Sequence, residues 1–252
     1  MIDGPAAMSE QRAAPAASRA ALFIFLGLAL LTFLALGTWQ VYRRSWKLDL
    51  IARTDARVHA LAAAPPGPAD WPRLNEESDE YLHVVLHGRY LPGRDTLVQA
   101  STELGAGWWV LTPLSEPDGT IVLINRGFVP DAQREHCEPP ADGEQTVTGL
   151  LRLSEPHGRW LRANEPGAGR WFSRDVAAIA QARGLAPATT IAPYFVDTEG
   201  SGVQSTRWPA GGLTVIQFPN NHLSYLLTWY GLAALTLVAM RIVWRSDRRS
   251  DA

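Results

Sequence analysis

Asn220-Asn221-His222-Leu223-Ser224-Tyr225 opens an apolar run that continues to Met240. Such a run approaches the roughly 20 residues that a helix needs to cross the hydrocarbon core of a bilayer. Asparagine is a preferred N-cap residue, so the sequence predicts a membrane helix with His222 in its first turn. At helical spacing, the side chains of His222, Tyr225 and Trp229 share one face of this helix.

His222 has two interpretations at this edge of the membrane. An imidazole above an aromatic stripe can hold a large flat ligand by coordinating its metal ion. A histidine in the interfacial region can also act only as an anchor, with an apolar body and a polar tip. The helix pattern alone leaves both interpretations open.

A second apolar run, residues 20–36, contains no charged residue and predicts another membrane helix. A cleaved signal peptide is the alternative, because Ala35-Leu36-Gly37 loosely resembles a cleavage site. However, the run is longer than the apolar region of a typical signal peptide, and about 19 residues is a long leader. An uncleaved anchor is therefore favoured, and the chain becomes a membrane hairpin around a large hydrophilic segment.

The predicted organisation has five parts. These are a disordered tail (1–19), transmembrane helix 1 (20–38), a β-rich domain with an opening helical segment (39–219), transmembrane helix 2 (220–243) and a cytoplasmic tail (244–252). Four arginines follow the second helix and no formal charge lies at 220–222, which places the C-terminus in the cytoplasm. The charges around the first helix favour the opposite orientation, because five basic residues follow it. The second helix has the cleaner asymmetry, so we expect the central domain outside the cytoplasm.

Composition limits the central domain further. About 160 residues remain after the two helices and their flanks, which is enough for one domain of ordinary size. The net charge is −2, and no basic patch with interleaved aromatic residues indicates nucleic-acid binding. A single cysteine, Cys137, excludes an intrachain disulfide and a Cys-x-x-Cys site.

The central segment reads mainly as β-structure. Helical spacing continues over residues 39–61 and ends at a proline-rich stretch. Strands are predicted at 81–91, 95–100, 108–113, 121–126, 145–153 and 194–197, with a hairpin turn at 116–119. Residues 173–183 predict a helix with Ser173 as its N-cap and Gly184 as its C-terminal stop. The fold class is therefore α+β: two terminal transmembrane helices flank a mainly antiparallel β domain, a sheet or partial barrel, with one or two helices.

Catalytic motifs are missing from the sequence. No nucleophile elbow, phosphate loop, zinc-protease motif or dinucleotide fingerprint occurs. His83 and His87 would project from the same face of a strand, as metal ligands or simply as exposed residues. Arg126, in Asn125-Arg126-Gly127-Phe128, ends a predicted strand before a turn that needs glycine. Its guanidinium can pair with a ligand carboxylate such as a propionate, or it can bond loop carbonyls or an acidic neighbour.

Several motifs, in order, resemble one family. The N-terminal motifs are Leu36-Gly37-Thr38-Trp39-Gln40 and Trp46-Lys47-Leu48-Asp49-Leu50-Ile51, and two strand motifs are Gly107-Trp108-Trp109-Val110-Leu111-Thr112-Pro113-Leu114 and Asn125-Arg126-Gly127-Phe128-Val129-Pro130. The last is Asn220-Asn221-His222-Leu223-Ser224-Tyr225, continuing to Thr228-Trp229-Tyr230. Together they resemble the surfeit locus protein 1 family of cytochrome c oxidase assembly proteins over residues 36–234. Phe128 departs from the family, where tryptophan is commoner.

The resemblance implies a non-catalytic chaperone of the respiratory chain, anchored in a bacterial inner membrane or its mitochondrial equivalent. It implies transient binding of haem a, insertion into subunit I of cytochrome c oxidase, and supply from the haem a synthesis machinery. His222 matches the histidine proposed as the iron ligand, with Tyr225 and Trp229 beside the macrocycle, and Arg126 as a further contact. The alternative is a membrane scaffold that stabilises an oxidase subunit without binding haem. In that case His222 anchors the helix or contacts a partner.

Overall fold

The computed structural model describes residues 16–159, 162–185, 187, 190–200, 202–214 and 220–250. These residues form four α-helices and six strands. In chain order they are α1 (Ala16–Val58), α2 (Glu76–Asp79), β1 (His83–Tyr90), β2 (Thr96–Thr102), β3 (Gly105–Ser115), β4 (Ile121–Pro130), β5 (Glu144–Leu153), α3 (Val176–Ala182), β6 (Ile191–Thr198) and α4 (His222–Ser250). The chain divides into a helical unit, Met1–Ile51 with Phe218–Ala252, and a β unit, Ala52–Gln217.

The helical unit contains two helices that are long and apolar enough to cross a membrane. α1 has 43 residues, which at 1.5 Å per residue makes it about 65 Å long. This length is about twice the hydrocarbon thickness of a bilayer, so a membrane span within α1 would leave a large part of the helix outside the hydrocarbon core. Apolar side chains such as Phe25, Leu28 and Leu31 are exposed in the isolated protein, as expected for surfaces that face lipid.

α1 is continuous through the predicted transmembrane segment and the predicted helical segment after it. It begins at Ala16, so it includes the last four residues of the predicted disordered tail. The rest of that predicted tail, residues 1–15, lies outside the described residues. At its other end, α1 stops at Val58, ahead of the prolines at 65 and 66.

The β unit is one six-stranded sheet in the order β1-β5-β6-β4-β3-β2, with a further pairing between β1 and β3. That pairing joins Arg89 to Ser115 and Tyr90 to Leu114, so the sheet curls back on itself as the predicted partial barrel. Neighbouring strands are antiparallel except β4 and β6, which run parallel. The parallel pair is possible because β5 and α3 supply a long crossover between them.

β4 separates two apolar clusters. Val122 and Ile124 face a cluster with Leu86, Leu151 and Tyr194. The alternate residues Ile121 and Leu123 face a second cluster, which includes Trp171, Ile179 and Phe195. A strand buried on both faces has a continuous apolar sequence, which is the pattern at residues 121–124. This strand therefore forms the centre of the β unit.

The cap of α3 differs from the prediction. Asp175, rather than Ser173, is the N-cap, and its carboxylate accepts a hydrogen bond from the Ala178 amide at 3.1 Å. The Ser173 hydroxyl instead donates to the Glu155 carbonyl at 2.7 Å. Serine and aspartate are both favoured caps, so the surrounding loop decided between them. The predicted stop at Gly184 agrees with a helix that ends at Ala182.

The end of β4 also differs from the prediction. The strand does not turn at Arg126 but continues to Pro130. Gly127 is still required, because its φ is +130° and an added Cβ would lie 2.2 Å from the Ala210 carbonyl oxygen. Phe128 pairs with Ala210 through two backbone hydrogen bonds, of 3.0 and 2.8 Å. The glycine therefore serves close backbone approach, rather than a tight turn.

Candidate functional site

His222 is the first residue of α4, so its imidazole lies in the first turn, as predicted. The Tyr225 amide donates to the Asn221 carbonyl at 3.3 Å and closes that turn. Nδ1 of His222 lies 2.8 Å from Oε1 of Gln40 on α1. Among the described residues, Nε2 of His222 has no hydrogen-bond partner. One ring nitrogen is thus held by α1 while the other is available.

A cavity of about 350 Å³ lies beside this histidine, within the helical unit. Side chains from the end of the α1 apolar run and the start of α4 line it. They are Leu36, Trp39, Gln40, Asn221, His222, Tyr225 and Trp229. The three aromatic rings and the leucine make the lining mainly apolar, with the imidazole and two amides as its polar groups. This composition is typical of small-molecule sites, in which a few polar groups orient an apolar ligand.

The aromatic residues of the cavity are held differently. Trp229 stacks on Phe33 of α1, with ring centroids 5.9 Å apart and planes inclined by 26°. Tyr225 is 56% exposed and remains available for contact with a ligand or with lipid. The structure therefore brings together three of the four predicted site residues, His222, Tyr225 and Trp229.

α1 and α4 approach closely beside the cavity. Gly37 is buried, and an added Cβ would lie 2.9 Å from Cε1 of Tyr230. The Tyr230 hydroxyl lies 3.2 Å from Oγ1 of Thr38, and either group can donate. Small residues at helix contacts allow this close packing in membranes. The contact fixes the separation of the helices at the level of the cavity.

Sequence reasoning did not assign four of the lining residues to the site, namely Leu36, Trp39, Gln40 and Asn221, nor Phe33, which stacks on Trp229. Gln40 is only 6% exposed, although it is polar and follows an apolar run. That contrast was the available signal, because an uncharged amide at the end of a membrane segment needs a hydrogen-bonding partner. Its partner could not be identified, because the two residues are 182 positions apart in the chain.

Arg126, the fourth predicted residue, belongs to the β unit. Its Nη2 donates to the Glu138 carbonyl at 2.7 Å, and the guanidinium lies 6.0 Å from the centroid of the Tyr90 ring. This is the loop-carbonyl interaction that the sequence analysis gave as one alternative. Burial raises the pKa of the neighbouring Cys137 thiol, and the charge of Arg126 opposes this shift without cancelling it.

His83 and His87 lie on the same strand but take separate partners. His83 places Nδ1 2.7 Å from the Ala60 carbonyl and Nε2 2.8 Å from the Glu199 carboxylate. His87 places Nδ1 3.1 Å from the Thr146 hydroxyl. No group of three or more His, Cys, Asp or Glu side chains suited to a metal ion occurs within the described part of the chain.

The β unit contains a buried charge cluster that the sequence analysis did not predict. Asp197 is 4% exposed and accepts from Asn125 at 2.7 Å and from Arg152 at 3.1 Å. Arg174 and Thr214 approach the same carboxylate, at 3.4 and 2.9 Å. Burial would lower the pKa of Arg152, but Asp197 and Glu80 raise it above its usual value. The arginines of this cluster are therefore structural charges with carboxylate partners.

Comparison with known proteins identifies the family. A profile of the SURF1 family matches residues 27–234. The chain is 35% identical over 230 residues to Surfeit locus protein 1 of Homo sapiens. This alignment covers 81% of the chain and 71% of the human protein. It is 35% identical over 252 residues to the Mus musculus protein of the same name, covering 90% and 77%. A SURF1-like protein of Monosiga brevicollis is 32% identical over 228 residues, covering 84% and 83%. The chain therefore belongs to the SURF1 family.

Proposed function

We propose that this protein is a membrane-anchored assembly factor for haem-copper cytochrome c oxidase, and that it binds haem a at His222 before the haem enters subunit I. Membership of the SURF1 family supports the assembly role. The single observation that supports haem binding is the half-buried His222, bonded at Nδ1 to Gln40 and lining a mainly apolar cavity. Haem is the cargo of such a protein and leaves with the oxidase.

The donor set fits haem. A neutral imidazole nitrogen is a standard axial ligand of haem iron, and Nε2 of His222 is the available nitrogen. Trp39, Tyr225 and Trp229 offer aromatic surface to an apolar macrocycle. Iron supplies the bond to the imidazole, and the protein supplies orientation and exclusion of water.

The size of the cavity favours temporary binding. A volume of about 350 Å³ is near the lower end of the roughly 300–1,000 Å³ typical of small-molecule sites. A macrocycle bound there would be only partly enclosed, and its remaining surface would face lipid or a partner subunit. A carrier needs this property, because the receiving protein must reach the cargo before the carrier releases it. His222 would hold the iron through Nε2, and the exposed side of the cavity would leave the haem accessible to the oxidase.

The orientation in the membrane is part of the proposal. Arginines at 241, 245 and 248 of α4 follow the apolar segment, so we assign the C-terminus to the cytoplasm. The β unit then lies in the periplasm, or in the intermembrane space if the host is a mitochondrion. His222 begins the membrane segment on that outer side. Haem bound there stays at the membrane boundary, which avoids exposing the macrocycle to water.

An optical spectrum of the full chain, purified from membranes that make haem a, tests this proposal. The parent should carry near-stoichiometric haem, and His222→Ala should lose it. His87→Ala is the matched control, because the ring of this exposed histidine lies beside the Thr146 hydroxyl in the β unit and does not line the cavity, and it should keep the parent spectrum. Circular dichroism confirms that each variant is folded. Absence of haem from the parent would leave the scaffold function, and haem retained by His222→Ala would mean that another residue holds the iron.

A further inference from the structure

We propose that Gln40 is a positioning residue that selects which ring nitrogen of His222 binds iron. Its Oε1 accepts a hydrogen bond from Nδ1–H, so Nε2 keeps the lone pair that a metal ion needs. The use of that lone pair rests on the proposed haem-binding function. The tautomer itself is a property of the protein without haem.

The hydrogen bond defines the tautomer because of the chemistry of its two atoms. Oε1 of Gln40 lies 2.8 Å from Nδ1 of His222. A carbonyl oxygen can only accept, so Nδ1 must carry the proton. In a neutral imidazole the other nitrogen, Nε2, is then the unprotonated one. This nitrogen has no hydrogen-bond partner among the described residues.

Burial makes this arrangement persistent. Gln40 is 6% exposed, although it is polar and directly follows the apolar run of α1. A buried amide oxygen without a hydrogen-bond partner is unfavourable, because nothing replaces the water that it has lost. Leu36 and Gln40 are four residues apart, so they lie on one face of α1, and both line the cavity. The Gln40 amide is therefore part of the cavity wall, and its hydrogen-bond partner is His222 rather than solvent.

Two other histidines show why this contact is distinctive. His87 faces a threonine hydroxyl, which can donate or accept, so that contact does not define its tautomer. His83 has a carbonyl at Nδ1, but its Nε2 faces the Glu199 carboxylate at 2.8 Å. His222 combines a pure acceptor at one nitrogen with an available second nitrogen beside a cavity. Ligand histidines of metal sites show this arrangement, with a carbonyl or carboxylate on the distal nitrogen.

The first test needs no haem. ¹⁵N NMR of the full chain in detergent, with labelled histidine and at alkaline pH, distinguishes protonated from unprotonated ring nitrogens. His222→Ala assigns the signals. We expect the parent to carry the proton on Nδ1, Gln40→Glu to keep it there, and Gln40→Leu to move population to the other tautomer. A parent protonated on Nε2, or a Gln40→Leu spectrum identical to the parent, would overturn the proposal.

The second test measures affinity by titrating the same variants with purified haem a. Loss of such a supporting hydrogen bond weakens metal affinity by about 10- to 100-fold. We therefore expect Gln40→Leu to bind haem a at least about tenfold more weakly than the parent. Gln40→Glu should restore the parent affinity and raise the iron–histidine stretching frequency, because a carboxylate makes the imidazole a stronger ligand. Thr32→Val is the control, since it removes only a side-chain hydrogen bond within α1, to the Leu28 carbonyl, and lies outside the cavity lining, and it should stay close to the parent.

The two tests separate this inference from the proposed function. If the parent binds no haem while NMR finds the Nδ1–H tautomer, the haem-carrier function fails and the role of Gln40 in setting the tautomer stands. If the parent binds haem and Gln40→Leu binds it equally well, the carrier function stands and the positioning role fails.

Discussion

The ring of Tyr230 packs directly against Gly37, so closely that an added Cβ on Gly37 would lie 2.9 Å from Cε1 and 3.0 Å from Cδ1. This contact lies next to the cavity residues Leu36 and Trp229 in sequence. The spacing of α1 and α4 at the candidate haem site therefore depends on the absence of a single side-chain carbon. The relationship gives the first of four predictions.

Gly37→Ala should weaken both the helix pair and haem binding. Alanine favours a helix by about 1 kcal/mol over glycine, but overpacking a well-packed contact costs about 1–3 kcal/mol, and here the tyrosine ring must move. Gly27→Ala is the matched control, because it lies in the same helix with nothing within 4 Å of the added carbon. For the full chain in detergent, only Gly37→Ala should lower the thermal unfolding temperature and the amount of haem retained. Equal behaviour of the two variants would show that the contact is unimportant.

Trp229→Leu should reduce haem affinity by about three- to tenfold, because an aromatic contact contributes roughly 0.5–1.5 kcal/mol beyond its buried area. The substitution also removes the stacking of residue 229 on Phe33. Trp244→Leu is the control, since that indole is 46% exposed and lies under Arg248 at the end of α4. Titration with haem a measures both variants. An unchanged affinity for Trp229→Leu would remove this residue from the site.

Asp197→Ala should destabilise the β unit by about 3–5 kcal/mol, because it leaves the partly buried charges of Arg152 and Arg174 without their shared carboxylate. Glu165→Ala provides the comparison. It breaks the exposed pair with Arg170, for which a loss of at most about 1 kcal/mol is expected. Denaturant unfolding, followed by tryptophan fluorescence, measures both. A small effect at Asp197 would mean that water or another group replaces the carboxylate.

Glu155 should contribute stability that is lost in acid. Burial alone would raise the pKa of this carboxyl, but the hydrogen bonds and charge of Arg174 outweigh it and hold the pKa below its ordinary value. A carboxyl with a lowered pKa in the folded state stabilises the fold above its unfolded pKa, and this contribution disappears as the pH falls through the folded pKa.

Glu155→Gln is the variant for this measurement. It should be less stable than the parent at neutral pH, and the difference should shrink as the pH falls through the acid range. Unfolding midpoints of parent and variant across that range give the result. A difference that stays constant with pH would show that Glu155 acts through packing and not through its charge.

The local pattern of the sequence was sufficient to predict all six strands and three of the four helices, but it missed the short helix α2 (Glu76–Asp79). An apolar run of nearly 20 residues can satisfy its backbone in a membrane only as a helix, which accounts for the membrane segments of α1 and α4. Short runs of β-branched residues between turn signals predicted β1 to β6. The parallel pairing of β4 with β6 was not predicted, because pairing depends on the route of the intervening chain, which local patterns do not encode.

The site was predicted only in part, because local patterns place residues on one helix but do not identify contacts between helices. His222, Tyr225 and Trp229 lie on one helix, and the period of 3.6 residues brings them to one face. The bond from Gln40 to His222 joins residues 182 positions apart, and the stacking of Phe33 on Trp229 also joins α1 to α4. Such contacts arise only when the two helices pack.

The sequence by itself determined that this protein has two apolar helices around a β domain, and that a histidine begins the second helix. These features follow from hydrophobic length, periodicity and capping, which act over a few residues. Only the tertiary structure decided that Gln40 holds Nδ1 of that histidine, that Gly37 admits Tyr230, and that Asp197 joins two arginines. Those contacts depend on packing between segments far apart in the chain, where shape and hydrogen-bond satisfaction select the partners.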